Sequence, residues 1–135
     1  MESSQALEAP RKREAIRTDR APLPIGPYSQ AVKYGDLLFV SGQLGLNKET
    51  KKLEPTVKDQ TIAALTHLKA VLEAAGSGLD RVLKTTVFLA DMADFPAVNE
   101  VYGTFFPEAA PARSTVQVAA LPLGALVEVE ATAHG

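Results

Sequence analysis

Apolar and polar side chains alternate most clearly towards the C-terminal end of the chain. Within residues 111–133, Arg113, Thr115 and Gln117 alternate with Ser114, Val116 and Val118, and Glu128, Glu130 and Thr132 alternate with Val127, Val129 and Ala131. A period of two belongs to a strand, whose successive side chains point to opposite faces. The stretch predicts two strands joined at Leu121-Pro122-Leu123-Gly124, where proline and glycine favour a reversal. If those strands pair, an arginine and a glutamate share one surface of a sheet. Upstream, residues 30–34 and 37–41 read as strands about a Gly35-Asp36 turn. Residues 14–18 read as a short edge strand, and residues 81–92, rich in Val, Thr, Leu and Phe, as a longer one.

A period near 3.6 marks the helices. Val57, Thr61, Ala64, Leu65, Leu68, Leu72 and Ala75 form one stripe. Thr56 and Asp59 resemble a capping box at its start, and Gly76 suits the position just past its end. A second helix starts from Asp94 as N-cap, with Pro96 in the first turn, and buries Val98, Val101, Tyr102 and Phe105. Asn99 lies off that stripe. Pro107 and Pro111 end the helix.

The order β-β-β-α-β-α-β-β predicts an α+β fold: a sheet of about six strands with two amphipathic helices, enough to cover one face. The uncovered face is expected to carry Arg113, Thr115, Gln117, Glu128 and Glu130. That mixture is unlike a solvated surface and suggests a subunit interface. The length predicts one domain over residues 13–135, preceded by a flexible tail, residues 1–12, without apolar periodicity. Arg11-Lys12-Arg13 reads as a solvated charge run, and Glu2 and Glu8 oppose an intact transit peptide.

Composition narrows the chemistry. The chain has no cysteine and two histidines, His67 and His134, which leaves no thiol catalysis and no Cys/His metal set. A net charge of −2 offers nucleic acid no electrostatic attraction. No apolar run approaches the ~20 residues of a membrane span, and no secretory h-region opens the chain. Among the remaining polar groups, Tyr28 closes a loop with three prolines, rigid enough to hold a functional side chain. Ser41 has no histidine beside it in sequence and reads as a hydrogen-bonding group, not a nucleophile. Gly42 allows a backbone or ligand to come close. His67 reads as a satisfied helical residue. Arg113, Glu128, Asn99, Ser41 and Tyr28 together suit a small carboxylic acid, with the arginine gripping the carboxylate in fixed geometry.

Several collinear motifs carry a family resemblance over residues 13–134. They are Ala-Pro-Leu-Pro-Ile-Gly-Pro-Tyr-Ser-Gln-Ala (21–31), Phe-Val-Ser-Gly-Gln (39–43), Val-Leu-Lys-Thr-Thr-Val-Phe-Leu-Ala-Asp-Met (82–92), Asp-Phe-Pro-Ala-Val-Asn-Glu-Val-Tyr (94–102) and the stretch 111–133. Together the chain resembles the RidA/YjgF family of reactive enamine/imine deaminases. The resemblance implies a chorismate-mutase-like α+β homotrimer with its sheets turned inward and sites in the clefts between subunits. It implies hydrolysis of 2-imino acids such as 2-iminopropanoate and 2-iminobutanoate to 2-oxo acids and ammonia, with no cofactor and no metal, in the cytoplasm or an organelle matrix. Arg113 would hold the carboxylate and Glu128 would position water. Tyr28, Ser41, Gly42, Asn99 and Thr115 would bind substrate; Glu130, of the same parity as Glu128, reads as a structural or interface residue. Many family members carry cysteine where this chain has Thr115, which puts thiol-based regulation in doubt. The rival readings are a non-catalytic metabolite-binding trimer, a ribonuclease or translation inhibitor, and a chaperone-like role.

Overall fold

The computed structural model describes residues 11–135, so the expected N-terminal tail lies almost wholly outside the described residues. The strands are β1 (Glu14–Ile16), β2 (Ala31–Tyr34), β3 (Leu37–Leu44), β4 (Val82–Leu89), β5 (Ala112–Gln117) and β6 (Val127–His134). The helices are α1 (Val57–Ala74), between β3 and β4, and α2 (Phe95–Phe105), between β4 and β5. The expected element order is the observed one. The strands form a single mixed sheet in the order β1-β2-β3-β6-β4-β5, in which only β4 and β5 run parallel.

Helix ends follow local chemistry. Thr56 Oγ1 accepts the Asp59 N–H at 3.1 Å at the start of α1. At its end Gly76, at φ 82°, closes a Schellman motif through Ser77 N–H to Leu72 O (2.8 Å) and Gly76 N–H to Glu73 O (3.1 Å). The start of α2 differs from expectation. Asp94 makes no capping bond; Asp91 instead accepts the Ala93 N–H and caps a short 3-10 turn, Met92–Asp94, that runs into the helix.

The last two strands do not pair with each other. β5 lies on the outer edge of β4, and β6 inserts between β3 and β4. Burial explains the choice. Val127, Val129, Ala131 and Ala133 of β6 are all buried, which suits a central strand, whereas no residue of β5 is fully buried, which suits an edge. The segment between them passes the end of β4, where Val118 N–H bonds Leu89 O and Ala90 N–H bonds Leu126 O.

Both helices pack on one face of the sheet. Leu65, Leu68 and Leu72 of α1 are wholly enclosed against Leu38, Val40, Val87, Leu89, Val127 and Val129, and each such leucine contributes about 1.5–3 kcal/mol of apolar burial. The opposite face stays open, with Tyr34, Leu37, Phe39 and Val116 each 41–48% exposed. Register also corrects which polar groups lie there. Arg113 pairs with Thr85, which pairs with Ala131, all three on the helix-covered face, and Thr115 and Gln117 follow with buried Val87 and Leu89. Glu128 and Glu130 lie on the open face with Phe88, Thr86, Val116 and Ser114. The arginine and the glutamate are therefore on opposite sides of the sheet.

Two buried glutamines pin the irregular loops. Gln30 accepts the Thr18 N–H at 2.7 Å and donates to Thr18 O (3.0 Å) and Pro22 O (2.9 Å), clamping the proline-rich segment. Gln60 accepts the Leu126 N–H and donates to Glu54 O, each at 2.9 Å. Gln30→Leu should lower the free energy of unfolding by about 2–4 kcal/mol, because buried backbone groups lose their partners at ~1–3 kcal/mol each. Equilibrium urea unfolding measures this, and a change below ~1 kcal/mol would show that the clamp is not needed.

Candidate functional site

Four of the seven predicted site residues meet along one groove. A depression of about 450 Å³ runs between the proline-rich segment, β3 and β6, and is lined by Tyr28, Ser41, Gly42 and Glu128, with Glu130 at its edge. The Tyr28 N–H donates to Gly26 O at 2.9 Å, a tight turn that leaves the phenol ring half exposed beside the groove. The Ser41 hydroxyl donates to Ser29 O at 2.6 Å, so its proton is committed and its lone pairs remain as acceptors. This geometry agrees with a hydrogen-bonding serine.

A β-bulge builds the floor. Val40 pairs with Ala131 and Gln43 with Val129, so Ser41 and Gly42 together oppose the single residue Glu130. The extra residue keeps both Val40 and Gln43 on the buried face. Gly42 is required for a different reason: a Cβ there would strike the Glu128 side chain, lying 2.7 Å from its carboxyl carbon. The carboxylate thus rests directly on the Gly42 backbone. Burial pushes the Glu128 carboxyl pKa up, and the Glu130 carboxylate adds to the rise.

The other three predicted residues form a second cluster on the helix-covered face. The Arg113 guanidinium lies 4.7 Å from the centroid of the Tyr102 ring and 5.5 Å from that of Phe95, both on α2. Asn99 lies on the same side of that helix, between these two in sequence, and Thr115 follows Arg113 on the same face of β5. Asn99 Oδ1 and Thr115 Oγ1 are both enclosed without a hydrogen-bond partner. Among the described residues no acidic side chain pairs with Arg113; the ion pairs found are Arg20–Glu73 and Lys58–Glu100, both at the surface. A guanidinium with no acidic partner among the described residues leaves N–H donors from which a small anion could accept hydrogen bonds.

His67 is not in either cluster. It is buried, and Nε2 donates to Leu46 O at 2.6 Å, which ties the 45–54 loop to α1. Burial pushes its pKa down, the Leu46 carbonyl opposing, so the ring stays neutral with Nδ1 enclosed and unbonded. No group of histidine and acidic side chains able to hold a metal occurs among the described residues. Sequence reading missed the aromatic support of Arg113: Tyr102 read as core and Phe95 went unmarked. The available signal was their spacing with Asn99, at positions 95, 99 and 102 of one helical face.

Comparison with known proteins places the chain among relatives. The family model described as "Endoribonuclease L-PSP" matches residues 18–135. The Arabidopsis thaliana protein "Reactive Intermediate Deaminase A, chloroplastic" is 50% identical over 123 residues, 90% of this chain and 66% of its own length. The mouse protein "2-iminobutanoate/2-iminopropanoate deaminase" is 49% identical over 122 residues, 90% of each chain. Among solved structures, RidA from an Antarctic Psychrobacter superposes with TM-score 0.88 at 45% identity, covering 90% of this chain and 99% of that one. E. coli TdcF with bound serine superposes with TM-score 0.87 at 42% identity, covering 90% and 98%.

The raised Glu128 pKa has a stability consequence of definite sign. A carboxyl whose folded pKa exceeds its unfolded value favours folding when protonated, and that favour is lost as pH rises through the folded pKa. Glu128→Gln should therefore unfold at a higher temperature than the parent at pH 7. The advantage should shrink as pH falls and vanish below about 4.5, the ordinary carboxyl value. Thermal unfolding of both proteins across that range tests it; a variant less stable at pH 7 would show that Glu128 is held by favourable contacts as a carboxylate.

Proposed function

The chain belongs to the RidA/YjgF family, and from that membership and its two polar clusters we propose that it hydrolyses 2-imino acids and their enamine tautomers to 2-oxo acids and ammonia. The observation that carries the site assignment is the Arg113 guanidinium, held over two aromatic rings with no acidic partner among the described residues. A substrate carboxylate completes it with paired, charge-assisted hydrogen bonds. Asn99 and Thr115 stand beside Arg113 in the same cluster, with Oδ1 and Oγ1 enclosed.

Glu128 does the proton work. The substrate R–C(=NH2⁺)–COO⁻ is already electrophilic at C2. Water attacks C2 while the Glu128 carboxylate takes one of its protons. The same proton passes to nitrogen; as the C–N bond breaks and ammonia leaves, Glu128 takes the proton of the C2 hydroxyl so that the C=O forms, and hands it to the departing ammonia, giving 2-oxo acid and ammonium. Atoms and charge balance without a cofactor. A carboxyl pKa raised by burial brings the base nearer the working pH and strengthens general-base help, worth roughly 10²–10⁴-fold. Tyr28, Ser41 and the Gly42 backbone line the groove in which that water and the substrate's C2 end would sit.

Arg113 and Glu128 occupy opposite faces of one sheet, so a cleft using both needs a second copy of the chain. The open face, with exposed Tyr34, Leu37, Phe39 and Val116, is the surface on which copies would meet, as a homotrimer with three equivalent clefts. The expected setting is the cytoplasm or an organelle matrix, where such imines arise. The family description leaves a ribonuclease reading to test. Against it stand the acidic net charge and the place of His67, which is buried, bonded to the Leu46 carbonyl, and is not among the residues lining the groove.

Ammonia release from freshly generated 2-iminobutanoate tests the activity. Arg113→Ala should lose roughly 10²–10³-fold in kcat/KM, the worth of two charge-assisted hydrogen bonds, while staying folded and trimeric by sedimentation. Full activity in that variant, or in a monomeric protein, would reject the site. In the parent, activity should fall on the acid side as Glu128 gains its proton. Glu130→Gln should move that limb to lower pH, because it removes the neighbouring charge but not the burial. A limb that moves upward or stays in place would remove Glu128 as the base. RNA cleavage that weakens steeply with salt and survives Arg113→Ala would favour the ribonuclease reading.

A further inference from the structure

Below the Arg113 guanidinium lie two buried hydroxyls that apolar residues could replace without loss of packing. Thr85 is completely enclosed and is the cross-strand partner of Arg113 on β4. Its Oγ1 lies 2.7 Å from the Tyr102 hydroxyl, also in the interior. Valine has the shape of threonine and phenylalanine that of tyrosine, and neither carries the desolvation cost of a buried hydroxyl. The bond between them ties the tip of the Tyr102 ring to the strand that neighbours the arginine's own. The same ring packs on Phe106, with centroids 4.7 Å apart and planes at 38°, so it is held both at its tip and on its side. The guanidinium lies 4.7 Å from the centroid of this doubly held ring.

A long arginine side chain left to itself samples many rotamers, and freezing it when an anion arrives reduces affinity. A ring fixed at two points removes that freedom in advance. We infer that Tyr102 and Thr85 are positioning residues for Arg113: the bond from Thr85 sets the Tyr102 ring, and the ring sets the plane of the guanidinium for a carboxylate. This rests on the reading of Arg113 as the carboxylate ligand. Burial pushes the Tyr102 pKa up, so the hydroxyl keeps its proton at neutral pH and the bond to Thr85 persists.

The test uses the full-length protein and the variants Tyr102→Phe, Thr85→Val, the double Tyr102→Phe/Thr85→Val, Thr85→Ser and Arg113→Ala. Three quantities are measured: kcat and KM for 2-iminobutanoate, and the ratio of inhibition constants for 2-oxobutanoate and its amide. The ratio reports recognition of the carboxylate alone. Tyr102→Phe and Thr85→Val should each raise KM by roughly 3- to 10-fold, the worth of one buried hydrogen bond. Their kcat should change by less than about 2-fold, as loss of uniform binding predicts. The preference for carboxylate over amide should fall by the same factor as KM rises, and Thr85→Ser should restore it. Each single substitution leaves the other buried hydroxyl unpaired and should lower the unfolding temperature, whereas the double variant Tyr102→Phe/Thr85→Val removes both partners and should unfold close to the parent while keeping the raised KM, which separates positioning from general destabilisation. If both variants keep the parent's KM and carboxylate preference while Arg113→Ala loses them, the positioning role is overturned and the reading of Arg113 stands. If Arg113→Ala itself keeps both, the reading of Arg113 falls, and the positioning role with it.

Discussion

The pairing of β5 with the outer edge of β4 decides what each polar side chain of this protein can touch. Through that register Arg113 shares a row with Thr85 and Ala131 and turns towards α2. A charge drawn from water must be compensated, and α2 answers with the faces of Phe95 and Tyr102 in place of an acid. Ring faces stabilise the cation without occupying its N–H donors. The guanidinium is thereby both held and available, a combination that an Arg–Glu ion pair in the same place would destroy.

Rigid placement of loops is the second theme. Prolines in the 21–28 segment have no N–H to bind into a sheet, but their carbonyls still need donors. Gln30 donates from the interior to Pro22 O, and on the strand side of the loop both donates to Thr18 O and accepts the Thr18 N–H. Gln60 does the equivalent for the loop before α1 and for the entry to β6, and His67 adds a bond to the Leu46 carbonyl. Each is a buried polar side chain facing backbone, so the groove is supported by hydrogen bonds that reach it from behind.

Periodicity made most of the architecture legible. The helical stripe from Thr61 to Leu72 is buried, the Gly35 turn and the Gly76 stop are where their φ values of 61° and 82° require glycine, and the element order holds. What alternation alone cannot give is which face of a strand is the inner one. In β5 neither face is strongly apolar, so the parity of Arg113, Thr115 and Gln117 was right and their side was not. Pairing of the last two strands was likewise beyond reach, because consecutive strands often neighbour one another and only the greater burial of β6 argues otherwise. The site followed the same division. The motifs named Tyr28, Ser41, Gly42 and Glu128, which share a groove, whereas the separation of Arg113, Asn99 and Thr115 from them depends on sheet order. Asp94 does not cap because its own backbone is already helical, at φ −81° and ψ −3°, as the last residue of the 3-10 turn that Asp91 caps.

The bulge at Ser41 and Gly42 divides β3 into two stretches with independent alignment. Val40 and Gln43 are three positions apart, an odd interval, yet both point inward because one residue is added between them. The alternation set at the Gly35 hairpin therefore does not fix which residues face Glu128: the bulge resets it, so one continuous strand carries two facing patterns.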